Sequence, residues 1–139
     1  MIVPTYIPNT AKVTDDARVV RGATVRGNAF IGGNALIKGK AHVFGNAQIY
    51  GHAKVCENAQ IYGHAQVYDN TVIRGRSLVH GNAVVYGDAH VSGYAIVCGH
   101  ARVCGHARVF GFAQISGNAI VRGHVIVSGK TLLEGDVNI

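Results

Sequence analysis

Every sixth residue from Ile7 to Ile139 is aliphatic, without a slip of phase over 23 positions, and all are Val or Ile except Leu133. Apolar residues in a helix recur every three or four positions, so this pattern predicts no helices. It makes the chain an array of one small unit. Two residues before each aliphatic lies a small residue: of the 19 positions from Ala11 to Ala119, 17 are Ala and the others are Thr71 and Ser77. Two residues after it lies Gly, from Gly27 to Gly135 interrupted only by Glu57 and Asp69. The unit reads Ala-x-Val-x-Gly-x.

The chemistry of the unit predicts a strand and a corner. Ala and the aliphatic, two apart, point to one side of an extended strand, and the residue between them points to the other. Gly permits backbone angles closed to other residues, so the chain can turn sharply there. The residue after Gly is usually Asn, His or Asp, the other types that tolerate a left-handed conformation. That position is expected to share the bend.

The corners count the units per coil. Sorted modulo 18 from Asn28 onward, two classes of the residue after Gly contain only Asn, His or Asp. The third reads Lys40, Asn58, Arg76, Tyr94, Phe112, Lys130. One corner in three stays chemically different, which an 18-residue, three-sided coil explains. The expected fold is a single-domain, all-β, single-stranded parallel β-helix of about seven and a half coils over residues 1–139, with 1–10 as a cap-like segment and 11–139 as uninterrupted repeats. At the strand spacing of about 4.8 Å the prism is roughly 35 Å long, and its narrow interior is filled by stacked aliphatics and Ala. Pro4 and Pro8 could blunt the first edge, since Pro donates no ladder hydrogen bond. At the other end only Glu134 and Asp136 discourage stacking, so end-to-end association is open.

The aliphatic followed four positions later by a small residue, as in Ile49 to Ala53 or Val91 to Ala95, resembles the hexapeptide-repeat, left-handed parallel β-helix superfamily best known from bacterial acyltransferases. The resemblance covers about residues 5–139 and implies a left-handed coil and, in some members, a trimer. Gly stands two after the aliphatic, where that family often places Asp, which leaves a right-handed winding as the alternative. The family's enzymes imply a second functional reading: transfer of an acyl group from acetyl-CoA to a small amine or hydroxyl acceptor, in a groove between subunits, with a histidine as general base. His42, His80 and His90 occupy outward strand positions, but none matches a family motif. The loop insertions that wall such active sites are missing, because the hexad phase never slips, and loops usually carry function on rigid scaffolds. No catalytic residue is assigned.

Composition bounds the rest. With 48% hydrophobic and 14% charged residues the chain is not disordered. No apolar run approaches the roughly 18 residues of a spanning helix, so no membrane partner is expected. No basic flank and apolar stretch open the chain, and three cysteines, Cys56, Cys98 and Cys104, on outward positions of different columns, read as reduced thiols in a cytoplasm.

Residues 18 apart form vertical columns, and four outward features invite function. The formal net charge is +6, and 9 of the 13 Lys and Arg fall in one recurring window: Arg18, Arg21, Lys38, Lys40, Lys54, Arg74, Arg76, Arg108 and Lys130. Only Glu57 opposes them, and Tyr94, Phe110 and Phe112 share the window. Such a basic edge is either a solubilising surface or a binding site for an anionic partner (nucleic acid, nucleotide or acidic protein), with rings available for stacking. Tyr50, Tyr68 and Tyr86 form a ladder that either stiffens the solenoid or joins subunits, and Ile120, Ile126 and Leu132 make an apolar belt that a partner subunit could cover. Asp88, His106 and His124 share a column and could hold a metal; this resembles only loosely the γ-class carbonic anhydrases of the same superfamily. Their corner positions also admit a purely conformational reading, and no metal is assigned. The preferred function is a non-enzymatic, self-associating scaffold or binding protein without a cofactor, acetyl-CoA belonging to the acyltransferase reading alone.

Overall fold

The structure is a computed structural model that describes Ile7, Pro8 and residues 10–139. Most of the expected cap-like segment, Pro4 included, lies outside the described residues. From Lys12–Val13 to Leu132–Leu133 the chain forms 21 two-residue strands at six-residue intervals, and no helix occurs among the described residues. The strands fall into three seven-stranded parallel sheets. We call them A, B and C after their first strands, Lys12–Val13, Arg18–Val19 and Thr24–Val25.

Register is uniform. Each strand pairs with the strand 18 residues away, as in Gln48 with Gln66 and Ile49 with Val67. From Thr24 to Arg122 the N–H of every even-numbered residue donates to the carbonyl 17 positions on, from Thr24 to Ala41 at 2.8 Å through Arg122 to Ile139 at 3.0 Å. The coils are therefore joined through strands and corners alike, and a side chain on one coil stands directly over its counterpart on the next. The expected three-sided architecture of 18-residue coils is what forms.

The interior is lined almost wholly by buried apolar side chains. Each aliphatic from Val19 to Val121 is fully buried, as are nearly all the alanines beside them. The two polar exceptions are satisfied: Thr71 and Ser77 are completely buried, and their hydroxyls donate to the Tyr68 and Arg74 carbonyls at 3.1 and 2.8 Å. The belt of Val72, Leu78 and Val84 on coil exteriors is half-buried by its neighbours.

The corners differ from expectation in one respect. The left-handed residue is the one at the Gly position itself, and the Asn, His or Asp after it has ordinary backbone angles. Among the described residues only Asp15, Glu57 and Asp69 adopt positive φ without being Gly. Each carboxylate accepts a hydrogen bond from the N–H of the Gly one coil later: Gly33 at 3.2 Å, Gly75 at 2.7 Å and Gly87 at 3.0 Å. The breaks in the Gly pattern thus satisfy an amide that no other protein group serves. The corner histidines His52, His64, His100, His106 and His124 owe nothing to a left-handed backbone.

A candidate anion-binding edge

The basic residues arise on sheet B and the corner between sheets B and C. Arg18, Leu36, Lys54, Val72, His90, Arg108 and Ile126 form the outward column of sheet B, paired rung to rung in that order. Arg18 is separated from Lys54 by Leu36, so it lies apart from the rest. Beside this column runs a second, containing Lys38, Cys56, Arg74, Ser92 and Phe110, and beyond it the corner column of Lys40, Asn58, Arg76, Tyr94, Phe112 and Lys130.

The fold brings Lys38, Lys54, Arg74 and His90 around one shallow groove, with Cys56 and Val72 in its floor. Its one carboxylate, Glu57, accepts from the Gly75 amide. Burial pushes the Cys56 thiol up, and Glu57 adds to this, while Lys38, Arg74 and Lys54 act in the opposite direction. Burial lowers the pKa of His90, and repulsion from Arg108 and Arg74 adds to it.

At the aromatic end of the edge Tyr94 is covered on both faces and Phe112 on one, while Phe110 stacks on no other ring among the described residues. Tyr94 and Phe112 stack with centroids 5.1 Å apart, and the Arg76 guanidinium lies 5.9 Å over the Tyr94 ring. Neither face of Tyr94 is left for a base, which corrects the expectation of a free stacking surface at this ring. Both rings are half exposed at their edges, Tyr94 50% and Phe112 56%.

Two further ladders lie elsewhere. Tyr50, Tyr68 and Tyr86 stack as expected, at 5.0 and 5.3 Å, and are half-buried. Their hydroxyls are pushed up, chiefly by burial in Tyr50 and Tyr68 and by a hydrogen bond with Cys104 in Tyr86. Cys104 is buried, not outward-exposed as expected, because it lies beneath the last ring of this ladder. The other ladder, Phe44–Tyr62–His80 at 4.8 and 4.7 Å, was missed in sequence although its members are also 18 apart. Mixing His with aromatics hid it. Burial lowers the pKa of His80.

Lowered histidine values have a defined consequence. The unfolded chain binds protons at His80 and His90 more readily than the folded one, so stability falls as pH drops through about 6.5 toward the lower folded values. Urea titrations at pH 7.5 and 5.5 should show a lower midpoint at 5.5, and His80→Asn should reduce the difference.

The remaining candidates are placed as follows. The Asp88 carboxylate lies 3.7 Å from His106 Nδ1, and His106 stacks on His124 at 4.8 Å with planes 6° apart. In-plane nitrogen lone pairs of parallel rings run side by side without converging. Among the described residues no group of three or more His, Cys, Asp or Glu is arranged to hold a metal ion. Ile120 is half-buried, whereas Ile126 is 60% and Leu132 55% exposed. Among the described residues no helix is long and apolar enough to cross a membrane.

No curated protein matches the chain. Residues 59–81 and 113–130 match the family model described as YdcK Beta solenoid repeat. With the coils described above, that similarity makes the chain a β-solenoid repeat protein.

Proposed function

We propose that the chain is a rigid, non-enzymatic scaffold that binds an anionic partner along the edge between sheets B and C and self-associates near the far end of that edge. The observation that supports this most is the groove of Lys38, Lys54, Arg74 and His90, whose single carboxylate is already engaged by a backbone amide. Lys40, Arg76 and Arg108 extend the positive surface beside it, and a rigid column of cations at fixed rung spacing suits the repeated charges of a polyanion.

The test is retention on a heparin column. Arg74→Glu with Arg76→Glu should abolish retention at about 150 mM salt, since polyanion affinity falls steeply as cationic contacts are lost. Arg26→Glu with Arg122→Glu changes the net charge equally on other columns and should remain bound. Equal behaviour of the two pairs would reduce the edge to a solubilising surface.

Self-association is supported by Ile126 and Leu132, the most exposed aliphatic side chains along the last coils of this edge. Light scattering should give a mass above the 14.6 kDa chain, reduced to it by Ile126→Lys with Leu132→Lys. A wild-type protein already at the chain mass would overturn this part.

A further inference from the structure

Four outward columns hold rings stacked on adjacent rungs: Phe44–Tyr62–His80, Tyr50–Tyr68–Tyr86, Tyr94–Phe112 and His106–His124, each pair 4.7 to 5.3 Å apart. A fifth column, at the same hexad position as the first two ladders, reads Arg74, Ser92, Phe110, Ser128. Phe110 thus has a serine on either side, and among the described residues it stacks on no other ring. Coils lie about 4.8 Å apart, so Arg74 and Phe110 stand two rungs, about 9.6 Å, from each other across the short Ser92. A notch of about 300 Å³ opens there, lined by Arg74, His90, Ser92, Arg108 and Phe110 among others.

We propose that this missing rung is a binding slot for a nucleotide unit, its base lying over Ser92 between Phe110 and the Arg74 guanidinium and its phosphate held by Arg108. The inference rests on the reading of the edge as an anion-binding surface. A planar group in the slot meets a ring on one side and a guanidinium on the other, at the pitch at which this solenoid already stacks rings. Both surfaces favour a flat π-system, and guanidinium stacks on aromatic faces as well as pairing with phosphate. Arg74, His90 and Arg108 all line the notch. No carboxylate lines it. Stacking without a directed set of hydrogen bonds gives little preference among bases.

The full-length chain is titrated calorimetrically with AMP and with ribose 5-phosphate, which carries the same phosphate and no base. AMP should bind about fivefold to 150-fold more tightly, the usual worth of one stacked base. Ser92→Tyr supplies the missing ring without changing charge, and should bring AMP down to the level of ribose 5-phosphate while heparin retention persists. Ser128→Tyr adds the same ring on the other side of Phe110 and should leave AMP binding intact. If Ser92→Tyr fails to fold, Phe110→Ser removes one wall and should have the same effect on AMP. An oligo(dA) strand that binds more tightly than AMP, and is also weakened by Ser92→Tyr, identifies a base within a strand as the occupant; an equal affinity identifies the free nucleotide. The slot is overturned if AMP and ribose 5-phosphate bind alike, or if AMP binding survives Ser92→Tyr. Charge-dependent heparin retention with no preference for AMP removes the slot alone, whereas loss of that charge dependence removes the edge reading itself.

Discussion

Ile61→Ala is expected to lower the free energy of unfolding by about 2–5 kcal/mol, and Ile126→Ala, in protein diluted to the monomer, to change it by less than about 0.5 kcal/mol. Both residues are isoleucines one position apart in the hexad, and only their side of the strand differs. Ile61 is fully buried and stacked between Val43 and Val79 of the adjacent coils. Truncation there removes apolar contact and leaves a void. The coil above and the coil below are each hydrogen-bonded at every even residue, so neither can settle into it. Ile126 points outward and is 60% exposed. Against a typical total of about 5–15 kcal/mol the first loss is large. Coils of a solenoid touch only their neighbours, so a weak middle coil should also reduce cooperativity. Urea denaturation followed by circular dichroism reads both: a lower midpoint and a shallower slope for Ile61→Ala. Equal midpoints for the two variants would mean that the interior is not close-packed.

Gly63→Ala should cost about 2–4 kcal/mol, and Gly129→Ala about 1 kcal/mol. The two glycines share their backbone conformation, with φ of 69° and 64°, so the penalty for a left-handed Ala is common to both. What differs is the next coil. A Cβ on Gly63 would stand 2.9 Å from the Gly81 nitrogen and 3.0 Å from its carbonyl oxygen, whereas one on Gly129 meets nothing within 4 Å. The additional cost at Gly63 is the displacement of one coil from another. Glu57 and Asp69 occupy equivalent corners because their carboxylates take up the next coil's amide, which Ala cannot do. Thermal unfolding of both variants measures the contrast. If the two melted together, coil-to-coil approach would play no part in the selection of Gly.

Most of the fold was legible in the chain. A strict hexad dictates the strand and corner, and the odd corner class dictates the triangle. The three-sheet arrangement, the Tyr50–Tyr68–Tyr86 superposition and the aromatic end of the basic edge all follow from separation by 18. Which corner residue turns left-handed was not legible, because Gly and the Asn or His beside it are both permissive types. The structure assigns the turn to the Gly position, where a Cβ on most of the glycines, as at Gly63, would press against the backbone of the next coil. The burial of Cys104 was also hidden, because its position in the hexad is an outward one and only the Tyr86 ring one coil away covers it. The basic residues could be counted in sequence, yet their convergence on one groove required knowing which columns adjoin around a corner.

By itself, the sequence determined the coil. A small alphabet of Ala, Val, Ile and Gly at fixed spacing buries its apolar side while pairing its backbone by stacking three-sided coils, and that solution needs no long-range information beyond the repeat. The tertiary structure alone decided what each outward position does. A side chain on a solenoid takes its environment from the residues one coil above, one coil below and one column across. So Phe112 spends a face on Tyr94, while Phe110, two residues earlier in the chain, faces serines on both sides.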